Sequence, residues 1–257
     1  MSRLQILFIS LGILGSCGTL SAQYVLPMNF TGSDSTSIRQ NLRLFSRHIG
    51  VHFGDSPGTV FQQGHEYPRV TLFYQHDAAY TVSPKRYWSG GEDAMTMAGT
   101  FSVVGNVTPN LQLLLRYNAM ILNGNASEFT GYGARYRSGI GTDSLHSVAL
   151  GVLMQKLNNA GVSPVNTLDF TLQYSRYLLK WTLVGDFTIS YVSGTLNNLD
   201  TEQFGGTFNG EFEDRVIHGG IGVIRQWRSL TFEAKLRSDL QIWNVILTIG
   251  WSFPSGN

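Results

Sequence analysis

From residue 69 onward, apolar and polar residues alternate with a period of two. In 110–121 one face reads Leu111, Leu113, Leu115, Tyr117, Ala119, Ile121, and the other Asn110, Gln112, Leu114, Arg116, Asn118, Met120. The same zigzag recurs in 167–175, 181–192, 230–238 and 243–253, and less sharply in 69–80, 94–104, 129–140, 146–155 and 215–226. Apolar residues at i, i+2 and i+4 belong to strands with one greasy face, not to helices. The pattern predicts ten strands, each near the roughly 9–11 residues that a tilted strand needs to cross a bilayer.

The expected connections fall into two classes. Those at 105–109, 141–145, 176–180 and 227–229 are short, whereas 81–93, 122–128, 156–166 and 193–214 are longer and rich in Gly, Asn, Ser and acidic residues. The connection near Asp239-Leu240 is short where a long one is due. Short turns at one end and long loops at the other are the asymmetry of a bacterial outer-membrane barrel. Aromatic residues gather at the strand ends, as amphipathic rings do at membrane–water interfaces. Tyr136, Tyr174, Tyr177, Trp181, Trp227, Trp251 and Phe253 mark the short-turn end, and Tyr80, Phe129, Tyr191 and Trp243 the other.

The N-terminus reads as a secretory leader, residues 1–22. Arg3 is its positive charge, 4–14 its apolar stretch, and Leu20-Ser21-Ala22 the small-residue cleavage site. A rival parse takes Leu14-Gly15-Ser16-Cys17 as a lipoprotein signal ending at an acylated cysteine. A retained membrane anchor fits less well, since the apolar stretch is shorter than the ~20 residues of a spanning helix. Cleavage would remove Arg3 and Cys17, taking the 18 basic residues to 17, against 17 acidic ones, and leaving no cysteine.

Composition narrows the partners. Charged residues make up 14% and the formal net charge is +1, so there is no basic excess for nucleic acid. One cysteine gives no disulfide framework and no cysteine-rich metal site, and no cofactor is expected.

The leader, the alternating strands and the near-terminal Trp251-Ser252-Phe253 together resemble the outer-membrane β-barrel proteins of Gram-negative bacteria. The resemblance covers about 69–253 at the level of architecture. It implies residence in the cell outer membrane, contact with outer-membrane lipid, and recognition of the terminal aromatic by the barrel-assembly machinery. Two departures are that Pro254–Asn257 follow Phe253, and that Thr248 stands where the assembly signal often has Gly. The fold expected is an all-β, antiparallel, up-and-down transmembrane barrel of ten to twelve strands, monomeric by default. Its parts are a leader (1–22), an N-terminal segment (23–67), the barrel (68–253) and a short tail (254–257).

Residues 23–67 admit three readings. In 33–50, Ile38, Leu42, Phe45 and Ile49 share a helical face and Arg39, Arg43 and Arg47 another, with Ser33, Asp34 or Ser35 as N-cap and Gly50 as the stop. Such a basic amphipathic helix would plug the lumen or lie on an anionic leaflet. Alternatively Ile49, Val51 and Phe53 alternate as in a strand, and two further strands would make twelve. The reading favours twelve, because 51–54 suits a strand better than a helix end. The third is a periplasmic extension.

With apolar faces outward, the lumen should be lined by Arg116, Arg135, Arg137, Asp169, Asp186, Glu233, Lys235 and Arg237. Buried opposite charges are best satisfied by pairing, so these residues either fill the core as a network or line a narrow path with modest anion preference. Tyr132, between Gly131 and Gly133, marks a bend of the wall or a close approach. Asp200, Glu202, Glu211, Glu213 and Asp214 read as a solvated surface loop, with calcium binding a weaker alternative. The expected role is a small pore or a structural envelope protein. The alternative is a module that binds a surface partner or a hydrophobic ligand.

An outer-leaflet lipid hydrolase is the third reading, and no enzyme is expected. His76 lacks a serine two residues on, where Ala78 stands, and Ser144, His146 and Ser147 fall at the inner end. Neither set supplies nucleophile, base and orienting group together.

Overall fold

The structure, a computed structural model, describes residues 35–54, 68–81, 95–122, 125–140, 145–158, 164–199 and 208–253. Within these residues one helix, α1 (Ser35–Phe53), precedes ten strands. These are β1 (Arg69–Thr81), β2 (Met95–Asn106), β3 (Leu111–Leu122), β4 (Asn125–Ile140), β5 (His146–Asn158), β6 (Val165–Leu178), β7 (Trp181–Leu199), β8 (Phe208–Trp227), β9 (Leu230–Ser238) and β10 (Ile242–Phe253). Every sequential pair is antiparallel, and β1 pairs with β10 from Val70↔Phe253 to Thr81↔Ile242, so the sheet closes on itself. Closure leaves no unpaired edge, the condition for a sheet to stand in hydrocarbon.

The strand count is ten, not the favoured twelve. Residues 51–53 are the last turn of α1 rather than a strand, and Gly50 lies inside the helix instead of ending it. Two features explain the difference. The last turn of α1 is enclosed on every side, with Ile49, Val51 and Phe53 all buried, so a period of two and a period of 3.6 fit it equally well. Gly50 packs against β8, where a Cβ would come within 2.9 Å of the Val216 Cβ, so its small size serves close approach rather than termination. Of the expected N-caps, Ser33 and Asp34 lie outside the described residues, as do the leader and the tail.

The alternation decides which way the wall faces. Leu113, Phe170 and Val245 are 50%, 44% and 50% exposed on the outside of the barrel, while the residues between them point inward and are buried. A soluble sandwich would have enclosed the apolar face.

The hairpins at the short end are tight. β6 and β7 are joined by Leu179 and Lys180, and β8 and β9 by Arg228 and Ser229, with Leu179 and Arg228 at positive φ (54° and 56°). At the other end β7 and β8 run well past the expected boundaries, to Leu199 and from Phe208. Glu211, Glu213 and Asp214 are therefore strand residues rather than parts of a loop, and Asp200 and Glu202 lie outside the described residues. No group of three metal-capable side chains occurs among the described residues.

Candidate functional site: a lumen filled by its own helix

The inner wall has two zones. Toward the long-loop end it is apolar. Ala79, Phe129, Leu157, Val165, Val192, Val216 and Ile242, from seven of the ten strands, form a collar packed on Leu42, Phe45, Ile49, Val51 and Phe53 of α1. Toward the short-turn end the wall is largely polar, with a small apolar patch of Phe73, Val104, Leu114 and Leu153.

α1 enters at the long-loop mouth and descends. Phe45 meets Phe212 edge-on at 6.1 Å, and Arg47 reaches Asp239 in the β9–β10 turn at 3.8 Å. Further down, Gly50 faces Val216, and Phe53 stacks on Phe129 with ring centroids 4.0 Å apart. Phe129 is thus part of the collar and not of the interfacial girdle, because its side chain points inward.

The helix end is capped by the wall. Arg116 Nη1 donates to the Phe53 carbonyl at 2.7 Å, and Gln155 Nε2 donates to the same oxygen at 2.5 Å. The last carbonyls of a helix lack partners within it and carry the negative end of its dipole, so a guanidinium there satisfies both. Gln155 also donates to Asp169 Oδ2 at 2.9 Å, tying the cap to a buried carboxylate. Gly131 makes room for Gln155, since a Cβ there would stand 2.7 Å from its Cγ. The close approach read from the sequence is therefore that of a neighbouring strand's glutamine.

A second cluster joins β7 and β9. Asp186 lies between Lys235, with which it is ion-paired, and Arg237, whose Nη2 is 3.1 Å from Asp186 Oδ1; all three side chains are buried. The eight lumen residues expected from sequence are thus split. Asp186, Lys235 and Arg237 form this cluster, Arg116 and Asp169 belong to the helix cap, and Arg135, Arg137 and Glu233 are buried elsewhere on the inner wall. Arg137 stacks over Tyr177 at 5.5 Å, and Tyr177 is half-buried on the inner side rather than in the girdle.

On the outer wall, Tyr136, Tyr174, Trp181, Tyr191, Trp227, Trp243 and Phe253 are exposed, and half-buried Trp251 stacks on Phe253 at 5.3 Å. The Arg225 guanidinium lies 5.0 Å over the Trp181 ring at the short-turn end.

Sequence reasoning missed several polar groups. Asp77 is buried and accepts from Gln75 at 2.9 Å, which adds a fourth carboxylate to the expected Asp169, Asp186 and Glu233 of the inner wall. Its inward parity on β1 was readable. Ser190 Oγ and His218 Nε2 lie 3.0 Å apart, a nucleophile–base distance. This pair is buried under the end of α1, where a Cβ on Gly54 would be 2.6 Å from Ser190 Oγ, so no substrate has access to it. Of the residues considered for lipid hydrolysis, His76 is half-buried on the outer wall. His146 Nδ1 contacts the Tyr174 hydroxyl at 2.5 Å on that wall, while Ser147 is buried on the opposite face, and Ser144 lies outside the described residues.

A closed barrel of ten antiparallel strands, apolar outside and polar within, is a transmembrane β-barrel of the outer-membrane class. The chain matches no protein-family model and no curated protein. Among solved structures it is similar to an outer-membrane channel from Pseudomonas putida F1 (13% identity, 77% of this chain and 100% of that one, TM-score 0.42). It is also similar to the KdgM porin in complex with disordered oligogalacturonate (10%, 71% and 99%, 0.40). A third is the N-terminal β-barrel domain of Pseudomonas aeruginosa OprF (12%, 71% and 97%, 0.31).

Proposed function

We propose that this protein is a narrow passive channel of the cell outer membrane, held closed at rest by α1. The observation that carries the reading is the apolar collar. An inner wall built only to meet water has no use for an apolar ring, whereas here seven strands turn apolar together at the depth where α1 lies. The polar zone beneath the collar, with its slight excess of Arg and Lys, would favour anions once the helix is displaced.

Planar-bilayer recording of the mature chain tests this. The unaltered protein should be nearly silent, and a Phe45→Asp/Ile49→Asp variant should give discrete current steps that scale with salt. Retarded gel mobility on heating would show that the variant barrel is folded. A folded variant as silent as its parent would leave a structural envelope protein as the reading.

A further inference from the structure

A groove of about 780 Å³, within the ~300–1,000 Å³ of ligand pockets, is lined mainly by lipid-facing residues of β3 to β8, with the inward-facing Arg116, Gly131, Gln155 and Thr167 behind them. Strand register explains its shape. Tyr132, Met154, Leu168 and Tyr191 are neighbours in one row across β4, β5, β6 and β7. Two tyrosines form its walls, and the unbranched Met154 and the smaller Leu168 its floor. The next outward-facing row toward the bilayer centre, Ala134, Val152, Phe170 and Ile189, is also apolar. The row on the long-loop side is Thr130, Lys156, Asn166 and Ser193, four exposed hydrogen-bond donors side by side. No carboxylate among the described residues is ion-paired with Lys156. Glu213 ends the row beside Ser193, and exposed Arg215 follows Tyr191 in the row below.

We infer that this groove binds a phosphate-headed lipid of the outer leaflet. An acyl chain lies between Tyr132 and Tyr191, and the phosphate rests on Lys156 with Thr130, Asn166 and Ser193 donating to its oxygens. The donor row is placed at the headgroup end of an apolar trough. An ammonium facing lipid is costly unless an anion meets it. A charged donor to phosphate oxygen gives the stronger, charge-assisted class of hydrogen bond. The inference is independent of whether the lumen conducts.

Native mass spectrometry of the folded mature protein in detergent tests it, with dimyristoyl phosphatidic acid, dimyristoylglycerol and inorganic phosphate as probes. One phosphatidic acid should be retained per barrel, with diacylglycerol and free phosphate bound far more weakly. Lys156→Gln should weaken retention about tenfold, as expected for one charge-assisted hydrogen bond. Met154→Trp, which fills the trough, should abolish it, and Lys180→Gln in the opposite turn should change nothing. Equal retention of diacylglycerol, binding of inorganic phosphate as tight as that of the lipid, or a Lys156→Gln protein that binds like its parent would overturn the assignment. If Met154→Trp does not fold, the Lys156→Gln comparison decides alone.

Discussion

Acid should loosen the helix plug, and the size of the effect follows from His48. Burial holds its imidazole down at about 4, against an ordinary 6.5. His52, one turn on with its ring 6.0 Å away, is also pushed well below 6.5, first by burial and then by charge on His48. A base whose proton affinity is depressed in the docked state binds fewer protons there than when released. Docking is therefore at full strength above pH 6.5 and weakens as pH falls toward 4. His48 alone accounts for about 3 kcal/mol across that window, about 2 kcal/mol of it by pH 5. Against this stand the buried Leu42, Phe45, Ile49, Val51 and Phe53, worth about 1.5–3 kcal/mol each before the cost of ordering the helix. Acid should thus raise the open share about a hundredfold without expelling α1 outright. Single-channel open probability at pH 7 and pH 4 reads this directly. Other groups titrate as well, so the control is a His48→Gln/His52→Gln protein, which keeps polar side chains but cannot take up the protons. Its ratio of acid to neutral opening should fall close to one. An unchanged open probability in the parent, or a double variant as acid-sensitive as the parent, would refute the reasoning.

Two further outcomes concern stability, measured as urea midpoints of the barrel refolded in detergent. Asp186→Asn leaves the buried Lys235 and Arg237 without their shared carboxylate and should cost about 3–5 kcal/mol; a midpoint equal to the parent's would show that the cluster is hydrated. Leu179, fully exposed at φ 54°, sits where only glycine is unstrained, so Leu179→Gly should stabilise by about 1 kcal/mol, and a lowered midpoint would contradict the strain argument.

The outer wall was legible because a bilayer demands one simple thing of it. Every second residue must be apolar over a full crossing, and Leu113, Phe170 and Val245 obey. Positions at strand ends were harder, since there an aromatic side chain suits either face. Type and location put Phe129 and Tyr177 in the girdle, yet strand parity contradicts both. Tyr132 and Tyr136 face outward on β4, so Phe129 must face in, and Tyr174 on β6 says the same of Tyr177. Residues 51–53 were not legible in this way. Nothing local distinguishes a strand from a helical turn enclosed all round, and the partners that enclose it, Phe129 and Val216 among them, lie far along the chain.

The collar itself left a trace in the sequence. Val192 alternates with Tyr191 and Ser193, Leu157 with Lys156, and Val216 with Arg215, so each falls on the inner face, which in β7 is otherwise mostly polar, with Thr182, Asp186, Thr188 and Ser190. Read strand by strand, such residues blur the alternation and look like noise. Placed in register they fall toward one end of the barrel, the end at which Leu42, Phe45 and Ile49 share one face of a basic helix. An apolar patch on a water-facing wall costs free energy unless something apolar covers it. The apolar residues of the collar therefore mark where the plug sits, whereas Phe73, Val104, Leu114 and Leu153 break the inner face below it and pack on one another instead.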